Sequence, residues 1–399
     1  MKIRAARVSA GVSLAAERSH GGWLDTMTST RVLQPATVTQ PERIPWPDLM
    51  RAACVYLIVV FHIELWVVET TGLPVVGDTS RWWDLAHGLM DRVRLPGLLL
   101  LSGMLVSRRL LTTGRTRVDM TSVRRAVSSY YLYVVWLAVY WVVFTLAVAL
   151  RPEVRGYAHV FTSPSDAVVQ LVAPATTLWY LFALAVYVTV MIGAVRLRVP
   201  APVVIGLAAV VSVLATRWEV WAWERIGFHL VFFVVGVYLG PRAAALARLR
   251  WWWLVPTAVL WGAITVAGTV ADLTSPVFAV VARVGSVPFV LVLCVLASQL
   301  RPFARLGGFV GRRTLSVYVL HPLLLVPLWW WATQDRADAV ALASNPAGLA
   351  LLLYVGGAVV VALALLVETG LRRARAGVLF AMPTAILAPR VEERDVVRS

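Results

Sequence analysis

The chain has 399 residues, of which 59% are hydrophobic and 15% are charged, and its mean hydropathy is +0.76. A soluble domain has about a quarter of its residues charged, so this chain cannot cover a water-facing surface. The formal charge of +16 comes from arginines between apolar runs, so it indicates membrane topology and contact with lipid, with no nucleic-acid partner expected. Cys54 and Cys294 fall inside apolar runs, which predicts small buried side chains and no metal site.

Apolar runs near twenty residues recur along the chain, and such a length crosses a hydrocarbon core of about 30 Å. Because the runs are continuous rather than alternating, they predict helices and not a barrel. We therefore expect an all-α, polytopic membrane protein of about ten transmembrane helices. The runs are Leu49–Val68, Trp83–Val106, Val127–Leu150, Leu171–Val195, Ala201–Ala215, Ile226–Gly240, Trp252–Val270, Pro276–Leu300, Thr314–Trp331 and Ala347–Val367.

Arginine positions predict the orientation. If the N-terminus is cytoplasmic, the inner loops and the C-terminal tail hold 21 arginines and the outer segments hold 6, as cytoplasmic enrichment requires. Both termini are therefore expected in the cytoplasm. Lys2 is the only lysine, and this preference for arginine over lysine is typical of GC-rich genomes. It favours a bacterial source, and we expect the protein in the plasma membrane, which is the inner membrane of such a cell.

The ends of the chain read as tails. Residues 1–40 are polar and dotted with arginine, without the apolar core of a signal peptide, and predict a disordered cytoplasmic tail. Met27 offers an alternative start within it. Residues 41–370 form the expected transmembrane domain, and residues 371–399 a cytoplasmic C-terminal tail.

Ionisable residues within the apolar runs are candidates for function, because a charge at the membrane centre costs about 3 kcal/mol or more unless it is paired or hydrated. These residues are Arg51, His62, Glu64, His87, Asp91, Arg92, Arg94, His229, Arg283 and His321.

The first helix carries the most informative set. Asp48 and Arg51 are three residues apart and can pair at its cytoplasmic end. His62 lies eleven residues beyond Arg51, which returns it to nearly the same face about 16 Å higher. At helical spacing Glu69 falls on that face too. A lone histidine on an apolar helix is usually structural, but one aligned with a charge at each end favours function.

The second helix is interrupted by Arg92 and Arg94. One alternative places the start of the span at Leu95 and both arginines at the outer rim, but the twelve residues that remain are too short to cross. A buried functional role is therefore expected for one of the pair. Pro96 favours a kink, and Ser102–Gly103 allows close helix packing.

Two further positions carry alternatives. Arg124 and Arg125 belong to a basic cytoplasmic loop. The loop either determines membrane topology and contacts anionic lipid, or it binds the phosphates of coenzyme A. His321 precedes Pro322 in the ninth run, where the proline frees a backbone carbonyl, so a polar partner is expected. Its role, structural or functional, stays open.

Four segments together resemble the acyltransferase-3 family of membrane O-acyltransferases, including its fucose-acetylase-like branch. The Asp48-x-x-Arg51 pair with Phe61-His62 resembles the opening of the family, and Leu95-Pro96-Gly97 through Ser102-Gly103 its second helix. Leu178-Trp179-Tyr180-Leu181 and Ser316-Val317-Tyr318-Val319-Leu320-His321 resemble two later motifs. The resemblance runs from about Arg43 to Leu366.

The resemblance implies transfer of an acyl group, usually acetyl from acetyl-CoA, to a hydroxyl of an extracytoplasmic carbohydrate or lipid-linked glycan of the cell envelope. Acyl-CoA is then a donor substrate, with no permanently bound cofactor. Arg51 with Asp48 would hold the donor, and His62 would act as general base or acyl carrier. Arg92 or Arg94 would stabilise the oxyanion or hold an anionic acceptor.

Buried arginines and midplane histidines also fit a transporter or flippase for a glycan or glycolipid. Such proteins often show inverted repeats, and none is visible in this sequence. A purely structural membrane partner would leave the Asp48, Arg51 and His62 face unexplained.

Overall fold

Helices make up nearly all of the described chain. The computed structural model describes residues 44–69, 71–73, 78–113, 119–157, 160–271 and 273–383, with backbone alone for 78–85, so the predicted tail 1–40 lies outside it. The α-helices are α1 (Trp46–Ile63), α2 (Asp78–Thr113), α3 (Met120–Leu150), α4 (Pro164–Gln170), α5 (Trp179–Arg196), α6 (Ala201–Leu214), α7 (Trp221–Leu239), α8 (Ala243–Leu246), α9 (Leu254–Val270), α10 (Pro276–Ala297), α11 (Arg301–Val310), α12 (Thr314–Gln334), α13 (Arg336–Ala343), α14 (Pro346–Ala350) and α15 (Gly356–Arg373).

The apolar helices match the predicted runs. Among the described residues, eight helical stretches are long and apolar enough to cross a membrane. The other two runs correspond to α2, whose first half is charged, and to the shorter stretch Ala201–Arg217. The prediction of an all-α polytopic membrane protein is confirmed.

The fourth predicted run is wrong in its first half. We expected a continuous helix from Leu171, but residues 171–178 separate α4 from α5. Pro174 in this break has no backbone donor and disfavours helix at the residue before it. The hydroxyls of Tyr130 and Tyr133 donate to backbone carbonyls at the end of α4, at 3.2 Å for Tyr130. These two carbonyls at the start of the break are therefore paired within the protein, as membrane depth requires.

Helix α1 lies at the centre of the bundle, packed against α2, α10, α11, α12 and α15. Regular α-helix ends at Ile63, and a π-helix over Glu64–Glu69 continues it. A π-turn holds more residues than an α-turn, so the predicted alignment of Glu69 with His62 is wrong. We call the end where α1 begins the inner end, predicted to be cytoplasmic, and the opposite end the outer end.

Helices α2 and α7 pack at backbone contact. A side chain on Gly103 would collide with the carbonyl of Phe233, and one on Gly236 would collide with the carbonyl of Leu100. Small residues drive membrane helix packing because apolar surface gains little from leaving lipid. The predicted close packing at Ser102–Gly103 is confirmed, and it sets the positions of the site residues that these two helices carry.

The inner loop before α3 ends in a capped helix start. Asp119 accepts hydrogen bonds from the backbone N–H groups of Thr121 (3.1 Å) and Ser122 (3.2 Å) and from the Ser122 hydroxyl (2.5 Å). Burial alone would raise the pKa of Asp119, but these hydrogen bonds outweigh it and hold the pKa below its ordinary value. The cap fixes where α3 begins.

Candidate functional site

Three cavities follow one line through the bundle between the inner and outer ends. The inner cavity has about 180 Å³, the middle one about 40 Å³ and the outer one about 340 Å³. Tyr318 lines both the inner and the middle cavity, and Leu95 and Arg225 line both the middle and the outer one. These shared walls make the three spaces neighbours along a single path.

The inner cavity is lined by Arg51 and by hydroxyl groups. The guanidinium of Arg51 lies 3.8 Å from the Asp48 carboxylate, as the three-residue spacing predicted. Across the cavity, the Ser102 and Tyr180 hydroxyls are 2.7 Å apart, and the Tyr180 N–H donates to the Tyr318 hydroxyl at 3.3 Å. The cavity therefore offers one cation and several neutral polar groups.

The middle cavity contains His62, whose partner is His321. Nε2 of His321 lies 3.0 Å from Nδ1 of His62, and Nδ1 of His321 lies 3.2 Å from the Val317 carbonyl. Since a carbonyl only accepts, His321 carries its hydrogen on Nδ1 and its Nε2 accepts. When both rings are neutral, His62 Nδ1 donates to His321, and the lone pair of His62 lies on Nε2. That tautomer is the one that a general base needs.

Ring stacking fixes the orientation of His62. Its ring stacks on Trp66 with centroids 4.2 Å apart and on His321 at 4.9 Å. Trp66 belongs to the π-helical turn that begins two residues after His62. Single π-turns are frequent at functional sites, and here the turn brings a buried indole against the imidazole.

Arg94 lines the middle cavity, whereas Arg92 does not. The Arg94 guanidinium lies 3.6 Å from the centre of the Phe61 ring and donates to Asp91 at 2.8 Å. Arg92 instead donates to the Thr265 hydroxyl on α9 at 3.0 Å. Of the two arginines predicted to bind substrate, the structure brings Arg94 to His62 and directs Arg92 toward α9. Residues two apart on a helix point in nearly opposite directions, about 200° apart.

The arginines predicted in the inner loop, Arg124 and Arg125, also differ in their distance from the cavities. Arg125 donates to the Leu105 carbonyl at 2.6 Å, and Leu105 lines the inner cavity beside Arg51. Arg124 is exposed on α3 and lines none of the three cavities. Arg125 thus lies close to the inner cavity, and the loop residues Arg115 and Arg117 lie outside the described residues.

The outer pocket holds Arg225, which the sequence analysis did not count among the candidates, together with the candidates His229 and Arg283, to which it gave no role. Arg225, His229 and Arg283 line it from α7 and α10, and His229 Nδ1 donates to the Arg225 carbonyl at 2.8 Å. Arg225 was counted with an outer loop because it stands at the start of its run. Its spacing of four residues from His229, which puts both on one helix face, is the signal that could have found it.

The broken fourth span reaches the site. Thr177, in the break before α5, lines the middle cavity with His62 and Arg94, and its buried hydroxyl has no hydrogen-bond partner within the described chain. No group of three or more His, Cys, Asp or Glu side chains in the described residues could hold a metal ion. Cys54 and Cys294 are free and buried, as predicted.

The sequence was compared with known families, curated proteins and solved structures. The family model of the acyltransferase domain called Acyl_transf_3 matches residues 44–367. Neither the curated proteins nor the solved structures gave a match. Membership of the fucose-acetylase-like branch stays a prediction. The matched region contains the whole line of cavities, and the chain belongs to the acyltransferase-3 family of membrane O-acyltransferases.

Proposed function

We propose that the protein transfers an acetyl group from acetyl-CoA to a hydroxyl of an extracytoplasmic carbohydrate or lipid-linked glycan. The observation that carries the proposal is the His62–His321 pair, enclosed between an inner cavity with Arg51 and an outer polar pocket. A donor from the cytoplasm and an acceptor from outside would meet at this pair.

The donor enters the inner cavity. Its phosphates lie at the inner end, where Arg51 and Arg125 provide the positive charge that bidentate phosphate binding uses. The thioester then passes Tyr318, which lines both the inner and middle cavities, to reach His62. Asp48 orients Arg51 through their ion pair.

The acceptor hydroxyl approaches His62 from the outer pocket. His62 Nε2 removes the hydroxyl proton as the oxygen attacks the thioester carbonyl. The carbon–sulfur bond breaks, and the proton passes from His62 to the sulfur of CoA. His321 keeps the hydrogen of His62 on Nδ1 throughout, and Arg94 stabilises the oxyanion of the tetrahedral intermediate. General-base transfer uses the tautomer inferred from the hydrogen-bond partners directly, so we favour it over an acyl-histidine.

The test is transfer of radiolabel from acetyl-CoA to glycan in membranes that contain wild type, His62→Asn or Tyr56→Phe. Asparagine at 62 can still donate to His321 from an amide in the place of Nδ1, but it has no basic nitrogen. Label in glycan should fall by about 10²–10⁴-fold for His62→Asn. Tyr56 lines a different, largely apolar cavity that contains neither His62 nor Arg51, so Tyr56→Phe should retain full transfer.

Full activity of folded His62→Asn would remove His62 from the reaction. No labelled glycan from any variant, with the protein folded in the membrane, would contradict the acetyl-CoA reaction. It would bring forward the transporter or flippase, for which the line of cavities is the supporting feature.

A further inference from the structure

The outer pocket is lined mainly by polar and charged side chains. Its walls come from α2, α7 and α10, together with Thr216, and its volume of about 340 Å³ suits a sugar-sized ligand. Asp91, Glu224, Arg225 and Arg283 all line it. So many charges in one space within a transmembrane bundle require a counterpart, because charges away from water are stable only when they are compensated.

Positive charge exceeds negative charge along the outer and middle cavities. Their lining residues include the guanidinium groups of Arg94, Arg225 and Arg283 and the carboxylates of Asp91 and Glu224. Asp91 is shared between Arg94 and Arg283, one on each carboxylate oxygen. Arg225 lies 4.4 Å above the Trp221 ring, with no side-chain hydrogen bond among the described residues. Glu224 and Asp91 act on Arg225 electrostatically without forming an ion-pair contact. The residues that line the two cavities therefore carry one more positive than negative charge.

Three donor atoms point to the same conclusion. The Nε atoms of Arg94, Arg225 and Arg283 are all buried and have no hydrogen-bond partner within the described residues. A buried donor left unpaired costs about 1–3 kcal/mol, and more when it is charged. Three such donors, on three helices around neighbouring cavities, form a cluster of guanidinium groups whose hydrogen-bonding capacity is not fully used within the described residues.

We propose that the outer pocket binds an anionic group of the acceptor, a phosphate or a carboxylate, through Arg225 and Arg283. Both groups accept bidentate hydrogen bonds from guanidinium and supply the missing negative charge. Arg225 lines the pocket and also the cavity of His62, so an anion held there positions a neighbouring hydroxyl toward His62. This inference rests on the proposed function for the reaction and adds the charge class of the acceptor.

The test compares sugars that differ in charge. Binding of glucose, glucuronate and glucose 6-phosphate to the purified, folded protein is measured by calorimetry without acetyl-CoA. At least one anionic sugar should bind about tenfold more tightly than glucose, as expected for a hydrogen-bonded charge. The comparison between glucuronate and glucose 6-phosphate identifies which anion the pocket prefers.

Variants locate the effect. Arg225→Gln should abolish the preference for the anionic sugar, and Arg225→Lys should retain part of it because the charge stays while bidentate binding is lost. Arg217→Gln is the matched control, since Arg217 is an exposed arginine of the same outer end that does not line the pocket. It should bind the sugars as wild type does.

Three outcomes would overturn the inference: equal affinity for glucose and both anionic sugars, no binding of any of them to wild type, or an unchanged preference in Arg225→Gln. Because no donor is present, the result is independent of the acetyl-transfer experiment. Transfer without charge preference would remove only the anionic acceptor, whereas charge preference without transfer would remove only the acetyl-CoA reaction.

Discussion

The inner cavity and the outer pocket lie on one path but differ in chemistry. The inner cavity is lined mainly by leucine and valine side chains with four hydroxyl groups, and Arg51 is the only cation among the lining residues that the structure describes. The outer pocket has four charged side chains in its walls. The difference indicates that the two halves recognise different partners. Under the proposed reaction, an inner cavity with little charge suits a neutral thioester, whereas a charged lining selects a ligand by its own charge.

The largest effect is expected on stability, when the close contact between α2 and α7 is disturbed. Gly103→Ala would drive a methyl group into the Phe233 backbone. It would separate α2, which lines both cavities, from α7, which lines the outer pocket. We expect a loss of about 3 kcal/mol in the free energy of unfolding, because backbone cannot yield as a side chain can. Thermal unfolding in detergent measures it. Gly193→Ala, with open space around it, should not destabilise, and equal Tm values for both variants would contradict the close packing.

The second-largest effect is expected on kcat, when the His62–His321 pair between the inner cavity and the outer pocket is broken. His321→Leu removes the acceptor for His62 Nδ1 and should lower kcat by about 10–100-fold, the range seen when a residue that orients a reactive side chain is lost. The KM for acetyl-CoA should stay near its wild-type value, because His321 does not line the inner cavity. Steady-state kinetics separates the two parameters. A changed KM with an unchanged kcat would assign His321 to substrate binding.

A smaller effect should be confined to the inner cavity. Arg51→Gln should raise the KM for acetyl-CoA by about tenfold, since a hydrogen bond to a charged group contributes roughly 1.5–3 kcal/mol. Binding of anionic sugar to the outer pocket should not change. If Arg51→Gln weakened sugar binding and Arg225→Gln weakened donor binding equally, the division between the two halves would be wrong.

The smallest effect is expected on stability from Asp119, which lines neither the inner cavity nor the outer pocket. Asp119→Ala removes the cap of α3 and should cost about 1 kcal/mol of stability. Because the folded protein lowers the pKa of Asp119, its contribution is present above the ordinary carboxyl pKa of about 4 and is lost as pH falls through the lower folded value. Tm measured against pH should show the wild-type advantage at neutral pH and its loss in acid. A difference that persists in acid would contradict an ionised cap.

The sequence predicted the site residues on α1, but it predicted few of the residues on other helices that contact them. Asp48, Arg51 and His62 share a helix, so their relation follows from helical periodicity. The pairing of His62 with His321 joins residues 259 positions apart, and no local pattern encodes it. Residues 171–178 form the break before α5, but they are mostly apolar. Hydropathy therefore predicted that they belong to the transmembrane helix. The grouping of Arg225 with Asp91 and Arg283 depends on how three helices pack.

The middle cavity is the narrowest part of the path. At about 40 Å³ it holds a few water molecules at most, and neither a sugar nor coenzyme A can pass through it. An enzyme whose substrates come from opposite sides of a bilayer risks becoming a leak for ions. Under the proposed reaction only a two-carbon group crosses this point, so the membrane could keep its electrical potential while the group is exported.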